Sequence, residues 1–469
     1  MIDTFAIRCN VLKLAFSGQL SQHEVEDGAI DDLLKRVNPN REIKQSEAGP
    51  YEIPENWAWV KLEDLYEINP KVEAADDTDA AFIPMERISA GFSDSFTFEV
   101  QKWSAASKNH TRFADGDVAF AKISPCFENR KSFIATGLPN GIGGGTTELI
   151  ILRQKEMLPR FTYYVTLDQR FIHEGVASYK GTVGQQRVKS DVIKNYMVAV
   201  PPKEEQQRII EKIESIFSAL DTIDTLQGQY QDNLATLKSK IIDAGIQGKL
   251  TEQLLEDGTA EELYQQIQQE RKSQEASGKI KKEDLFPDIE DQSIPFSVPK
   301  TWLWTYLGNV SYIVRGGSPR PIKQYITHDT NGINWIKIGD VEKGGKYIYQ
   351  TNERISPEGE KKSRRVYPGD FLLTNSMSFG RPYISQIEGC IHDGWLLIRN
   401  LNGFDPDYLY YLLSSSYLYG QFTEKASGST VDNLNIDKVK SAMIPLPPLA
   451  EQKRIVAKLE ELLPLCEKG

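Results

Sequence analysis

The clearest pattern of hydrophobic and polar positions begins just after the proline pair at 201 and 202. Ile209, Ile213, Ile216, Leu220, Ile223, Gln227, Tyr230, Leu234, Leu237 and Ile241 follow one another at alternating steps of four and three, and all but Gln227 are apolar. That spacing is a heptad seam and predicts a helix packed lengthwise on another helix. Proline is tolerated in a helix's first turn, Glu204 and Glu205 oppose the positive end of its dipole, and Gly245 or Gly248 supplies a stop. At about 1.5 Å per residue, its roughly 40 residues span about 60–65 Å. Gly228, beside Gln227, is its weak point.

The partner helix is written at the two ends of the chain, because the sequence repeats itself. PPKEEQQRIIEKIESIFS (201–218) returns 246 positions later as PPLAEQKRIVAKLEELLP (447–464), and DVIKNYMVAV (191–200) returns as DKVKSAMIPL (437–446). SGQLSQHEVEDGAIDDLLKRV (17–37) pairs with QGKLTEQLLEDGTAEELYQQI (247–267) at an offset of 230. IPENWAWVKL (53–62) pairs with VPKTWLWTYL (298–307) at 245, matching Pro54 with Pro299, Trp57 with Trp302 and Trp59 with Trp304. Matched blocks in one order are a duplication, which must be recognised before the fold is read. Carried outward, residues 449–469 match 203–223 and add Ile455, Leu459, Leu462 and Cys466 to the seam. Residues 1–16 match 231–246, with Ile7 and Val11 at the places of Leu237 and Ile241, and only the counterpart of 224–230 is missing. The repeat is cyclic, so the terminal helices are expected end to end against the central one and antiparallel to it, in a ring with pseudo-two-fold symmetry.

Between the helical parts lie two blocks of mixed pattern. FADGDVAFAKISP (113–125) and VYPGDFLLTNSMS (366–378) place a Gly-Asp turn before an apolar run, as a strand entry does, while FTYYVTLDQRFIHEGVAS and PDYLYYLLSSSYLYGQFTEKAS carry apolar residues at helical spacing. The fold class is α/β, a mixed α+β chain of two duplicated domains separated by long antiparallel coiled-coil helices. The divisions are 1–20 (N-terminal helix), 21–50 (connector), 51–200 (first domain), 201–250 (central helix), 251–294 (helical connector and linker), 295–448 (second domain) and 449–469 (C-terminal helix). QQERKSQEASGKIKKEDLFPDIEDQ, charged and glycine-containing, reads as exposed linker. Tyrosines and tryptophans at helical spacing read as core.

Charge sharpens this division. The net charge is −11, yet 51–200 holds 17 Lys and Arg against 20 Asp and Glu, and 295–448 holds 17 against 14. The other segments hold 21 against 32, so the acidity belongs to the helical parts and the two domains are near neutral. Within them, polar loops gather the side chains that bond phosphates and base edges: AKISPCFENRKSF and YKGTVGQQRVKSD in the first, VRGGSPRPIKQY, TNSMSFGRPY and KASGSTVDNLNIDK in the second.

Motifs of catalysis are missing. There is no GxxxxGK[ST] or HExxH, the five histidines stand singly, and GIGGGTTE (141–148) runs into the strand-like LIILR instead of opening a helix. His173-Glu174 and His392-Asp393 read as adjacent by chance. Cys9, Cys126, Cys390 and Cys466 are scattered, which indicates buried thiols instead of a zinc site or disulfides. No run of about 18 apolar residues crosses a bilayer and no secretory leader is evident, so a cytoplasmic location is expected.

Together, the twin MVAVPPKEEQQRI and MIPLPPLAEQKRI, the twin GQL and GKL, GDVAFAKISPCFENRKSF with GIGGGTTELIILR, and RGGSPRPIKQY, INWIKIGDV, GDFLLTNSMSFGRPYIS and ASGSTVDNLNIDKV make the chain resemble the DNA-specificity subunits of type I restriction-modification enzymes. The resemblance implies two target-recognition domains, each reading one half of a split, asymmetric double-stranded DNA target. Paired helices fix the gap, and two methyltransferase (modification) subunits and a restriction (motor and nuclease) subunit are the protein partners. It implies no catalytic residue and no cofactor in this chain, with S-adenosylmethionine, ATP and Mg in the partners. The DNA-facing positions expected are Lys122, Ser124, Asn129, Arg130, Lys131, Lys180, Gln185, Gln186, Arg187 and Lys189, then Arg315, Ser318, Arg320, Lys337, Asn375, Ser376, Arg381, Ser427 and Asn433. Two alternatives stay open: a coiled-coil protein–protein adaptor without DNA specificity, and a nuclease or fused methyltransferase.

Overall fold

The helix foreseen from the heptads forms as one element, Lys203–Ile246, and runs through Gly228. The computed structural model describes residues 1–37, 43, 49–182, 185–342, 344–375, 380–424, 434 and 436–467. The chain divides into two units, Met1–Gly228 and Gln229–Gly469, with the boundary inside that helix.

In the first unit the strand Ala58–Lys61 pairs antiparallel with Met197–Val200, closing the domain at its two chain ends. Between them lie two four-stranded sheets, one ordered 66–68, 149–154, 118–121, 132–134 and the other 99–102, 79–83, 142–145, 111–114. The glycine run 142–145 is a strand of the second sheet, where a Cβ on Gly144 would meet the Ala106 carbonyl oxygen at 1.9 Å. Glycine is there for close approach of backbone, not for a cofactor. The N-terminal helix Thr4–Phe16 runs antiparallel to the long helix: Ile2 N–H donates to Gln227 Oε1 (2.5 Å), Thr4 Oγ1 to Asp224, and Arg8 to Asp224 and Asp221 (2.9 and 2.6 Å). Below these polar contacts Leu12 and Ala15 are buried with Ile209, Ile213 and Leu220 in the main core.

In the second unit Leu303–Tyr306 pairs with Met443–Leu446 in the same way. Its sheets have five strands each, ordered 311–315, 395–400, 371–374, 382–385, 347–348 and 326–327, 353–355, 333–336, 389–391, 364–366. The C-terminal helix Leu449–Leu462 packs on the end of the long helix, with Ile455 and Leu459 over Gly245. Further along, Lys238 pairs with Glu467 at 3.0 Å, so the helices are again antiparallel.

The repeated EQxR of the two proline segments has one structural meaning in both units. Glu205 is fully buried and accepts from Trp57 Nε1 (2.9 Å), Ser21 Oγ (2.9 Å), Asn56 Nδ2 (3.3 Å) and His23 Nδ1 (2.6 Å). Glu451 accepts from Trp302 Nε1 (2.8 Å), Thr251 Oγ1 (3.1 Å) and Gln253 Nε2 (2.6 Å). Gln206 clamps Leu158 N–H and the Pro201 carbonyl; Gln452 clamps Asp405 N–H and the Pro447 carbonyl. Arg208 grips Asp27, and Arg454 grips Asp257, each with both terminal nitrogens. A buried carboxylate needs such donors, since leaving it unpaired is costly.

Three expectations are corrected. Ile209, Ile213, Leu220, Ile455 and Leu459 are buried and Ile216, Ile223, Leu234, Ile241 and Leu462 half-buried, but Tyr230 and Leu237 are 44% and 47% exposed. The C-terminal helix ends at Leu462 in the turn Leu463–Cys466, beyond which Glu467 pairs with Lys238 of the long helix. Ile7 is exposed as well: Arg8 takes the inward place, bonding to the two aspartates while its guanidinium lies over Phe217 (5.6 Å). Finally, the charged stretch after 265 is not wholly linker. The helix Ala260–Ala276, closed at its start by a Thr259–Glu262 capping box, buries Arg271, which donates to the Gly308 and Ser311 carbonyls (2.7 and 3.0 Å).

Candidate nucleic-acid interface

In the first unit, backbone bonds bring two sequence-distant polar loops together. Ser124 N–H donates to the Gln186 carbonyl (2.8 Å), Val188 N–H to that of Lys122 (3.0 Å), and Lys180 and Arg187 exchange bonds (3.1 and 2.9 Å). Lys122, Ser124, Lys180, Gln185, Gln186, Arg187 and Lys189 thereby fall on one local surface, all exposed or half-buried. Arg187 meets Glu148 with two bonds (2.9 and 2.7 Å), and this holds the Glu148 carboxyl below its usual pKa range. Lys122, Lys180 and Lys189 make no side-chain hydrogen bond or ion pair among the described residues, so their charge is available to an anion. Asn129 is exposed nearby, and Lys131 donates to the Met85 carbonyl (2.8 Å).

Arg130 does not join that surface. It is 5% exposed, donating from Nε to the Leu167 carbonyl (3.0 Å) and from Nη2 to Gln169 (2.5 Å), with its guanidinium against the rings of Phe5 and Phe92, which meet each other edge-to-face. Its left-handed backbone (φ 55°) turns the side chain inward.

In the second unit one residue that sequence reasoning had set aside organises the loops. Asp393 accepts from Ser318 Oγ (2.8 Å) and Arg320 Nη2 (3.3 Å), and its carbonyl accepts from Arg315 Nε (3.1 Å) and Asn375 Nδ2 (2.8 Å). The Ser318 bond is the first cause of a lowered Asp393 pKa. Gly316 permits the approach, since a Cβ there would meet the His392 carbonyl oxygen at 2.1 Å. Neighbouring His392 accepts Ile338 N–H at Nε2 (3.1 Å), and burial pushes its pKa down. Arg315 and Arg320 are exposed, Ser318 is half-buried, and Asn375, at 3% exposure, is a brace for the loop instead of a surface donor. Lys337 is paired with Glu353 (2.6 Å), and Arg381 lies half-buried at the start of the strand Pro382–Ser385. Ser376, Ser427 and Asn433 lie outside the described residues. Among the described residues no group of three or more His, Cys, Asp or Glu is placed to hold a metal ion, and no helix is long and apolar enough to cross a membrane.

A family model described as the type I restriction modification DNA specificity domain matches twice, over residues 54–230 and 299–467. The chain belongs to this family. Both matches run from a domain's first strand into the helix after its proline pair, so the family unit is the repeat itself. Among similar proteins are the type I restriction enzyme EcoAI and EcoEI specificity subunits of Escherichia coli, each 28% identical over 100% of this chain and 90% and 91% of theirs. The putative MjaX specificity subunit of Methanocaldococcus jannaschii is 25% identical over 93% of each. A chain from work on complex assembly and conformational transition of the type I R-M system shares the fold with a TM-score of 0.63, at 20% identity over 89% of this chain and 93% of that one. The HsdS subunit from Thermoanaerobacter tengcongensis does so at 0.50, with 19% identity over 90% and 92%. As a specificity subunit, the protein is a non-catalytic DNA-recognition component of a type I restriction-modification system.

Proposed function

We propose that the chain reads a bipartite, asymmetric double-stranded DNA target, one half-site with 51–200 and the other with 295–448, while the long helix sets the gap between them. The observation that carries this reading is the combination of a duplicated scaffold with unrelated polar loops. The EQxR anchors recur, a glutamate on a tryptophan N–H, a glutamine on a proline carbonyl and an arginine on an aspartate, whereas Lys122, Lys180, Gln185 and Arg187 on one unit and Arg315, Ser318 and Arg320 around Asp393 on the other are different chemistry. Different donors on the same frame select different base edges. A helix of 44 residues, about 66 Å long, is commensurate with roughly two turns of DNA.

The acidic helical parts are the docking places for two methyltransferase subunits and a restriction subunit, which bring S-adenosylmethionine, ATP and Mg, in the cytoplasm. Near-neutral recognition domains suit a complex in which those partners share the phosphate contacts. The test is to map N6-methyladenine genome-wide in a host carrying the chain and its partners. A two-part motif with a fixed gap is expected, and exchanging residues 295–448 should rewrite one half only. Methylation at scattered sites, or no shift of duplex DNA at low salt with the methyltransferase present, would instead support a protein adaptor.

A further inference from the structure

KKSRR (361–365) is the densest run of positive charge in the second domain, and the loops around Asp393 do not account for it. It enters the edge strand Arg364–Val366. Its place in the first unit is taken by KNHTR (108–112), which enters the edge strand Thr111–Ala114, and the Gly-Asp turns that follow fix the match. In both units a second loop lies against this segment. Gly317 N–H and Ser363 Oγ both donate to the Ile391 carbonyl (3.1 and 3.0 Å), and a Cβ on Gly317 would stand 3.1 Å from the Lys362 carbonyl oxygen. Val72, which matches Gly317 at the offset of 245, offers its own carbonyl to Arg112 Nη1 (3.4 Å).

Equivalent surfaces thus carry unlike charge. Segments 315–323 and 361–365 together hold seven Lys and Arg and no Asp or Glu, whereas segments 70–78 and 108–112 hold three Lys and Arg against three Asp and Glu. Arg365 is committed to Glu360 and Glu388 (2.7 and 2.9 Å), but Arg315, Arg320, Lys323, Lys361, Lys362 and Arg364 are all exposed. Of these six, only Arg320 is ion-paired among the described residues, to Asp393 at 3.3 Å. Arg315 bonds to the Asp393 carbonyl (3.1 Å) and Lys362 to the Tyr325 hydroxyl (2.5 Å), neither of which cancels a charge. Charge along an edge strand guards against pairing with another sheet. The edge 111–114 does without such a cluster, however, and a guard has no need of the loop 315–323.

On the reading that 295–448 meets one half-site, we propose that Arg315, Lys323, Lys361, Lys362 and Arg364 form a phosphate clamp beside the Asp393 loop, gripping the DNA backbone at an edge where the first domain has no equivalent. Lysine and arginine contacts to phosphate position a protein on the duplex and carry no base code. The clamp is continuous with Ser318 and Arg320 through the shared Ile391 carbonyl, so backbone and base edges are met by one surface.

Duplex binding by the full chain with its methyltransferase subunits is measured across a range of salt, on target and unrelated sequences. Each phosphate contact contributes about 0.9 to the slope of log affinity against log salt, so Lys361→Gln with Lys362→Gln and Arg364→Gln should lower the slope by about 2–3 and weaken both duplexes by the same factor. Lys71→Gln with Lys108→Gln, at the first domain's edge, should change the slope by less than about 0.5. Lys361→Arg, Lys362→Arg and Arg364→Lys together keep the charges and should keep the slope. A glutamine variant with the wild-type slope overturns the clamp alone, whereas a wild type that binds no duplex overturns the DNA reading with it. Loss confined to the target duplex overturns the clamp by marking base readout, and an equal loss in the charge-keeping variant does so by marking a structural role. An equal fall in slope at the first domain's edge overturns its restriction to the second domain. A glutamine variant that no longer co-elutes with the methyltransferase overturns it in favour of an acidic protein surface.

Discussion

The first and second units are two solutions to one folding problem, and what they share differs in kind from what they do not. Each closes its domain with one antiparallel strand pair and buries a glutamate under a tryptophan, a glutamine under a proline carbonyl and an arginine on an aspartate. Each also braces its sheet with a forked pair, Arg153 on Asp117 and Arg399 on Asp370. They diverge at the polar loops, with Lys180 and Arg187 bonded across one surface of the first unit and Arg315, Ser318 and Arg320 gathered around Asp393 in the second. Repetition marks scaffold, and divergence on that scaffold is where the proposed reading places the contacts with DNA.

That comparison is broken most directly at the buried glutamates. Glu205→Ala strands Trp57 Nε1, and Glu451→Ala strands Trp302 Nε1, so each should cost about 3 kcal/mol in urea unfolding. Equal costs are expected; a large cost in one unit alone would mean that the anchors are not equivalent. Arg130→Ala should come next, at about 2 kcal/mol, by leaving the Leu167 carbonyl and Gln169 unmet and removing the cation from the Phe5 and Phe92 rings. It should leave the methylated motif unchanged, since Arg130 is inside the protein.

The acid limb tests the arginine–aspartate anchors together. Hydrogen bonds from Arg208 and Arg454 hold the carboxyls of Asp27 and Asp257 below their usual pKa. Carboxyls lowered by folding bind protons less readily in the native state, so their stabilisation is present above the ordinary value of about 4 and lost as pH falls below it. Asp27→Asn with Asp257→Asn should therefore flatten the fall of melting temperature below about pH 4. An unchanged acid limb would assign it to other groups.

Among the divergent residues, Gln185→Ala should relax one position of one half-site by about 1–2 kcal/mol of discrimination, read as spread in the methylation map. Lys180→Ala should weaken all sequences alike and lower the salt dependence. The same loss on both halves of the motif would sink the assignment of one domain to one half-site.

The frame of the molecule was legible because its signals are local and periodic. The heptads, the Gly-Asp strand entries and the twin proline segments each sit within a few turns of the element they specify. Asp393 was not legible, since its partner Arg315 lies 78 residues away and the bond runs to a carbonyl that any residue would offer. Arg130 was misplaced for a related reason: an arginine in a polar loop looks exposed until Phe5 and Phe92 arrive from other parts of the chain. Ile7 lost its inward place to Arg8 because Asp221 and Asp224 lie opposite, which a count of apolar positions does not weigh.

The smallest predicted effect is at an anchor position where the scaffold itself differs. His23 reaches Glu205 through Nδ1 at 2.6 Å, and its ring stands edge-on to Trp57; in the second unit Gln253 reaches Glu451 at the same distance and accepts from Thr301 Oγ1 (2.9 Å). Both deliver one N–H to a carboxylate already held by a tryptophan, so the chemistry at the acceptor is alike. His23→Gln should shift unfolding by no more than about 0.5 kcal/mol at pH 8, whereas His23→Ala, which removes the donor, should cost about 1 kcal/mol. A glutamine variant as unstable as the alanine one would show that the histidine is a point of divergence between the units and not a synonym within their scaffold.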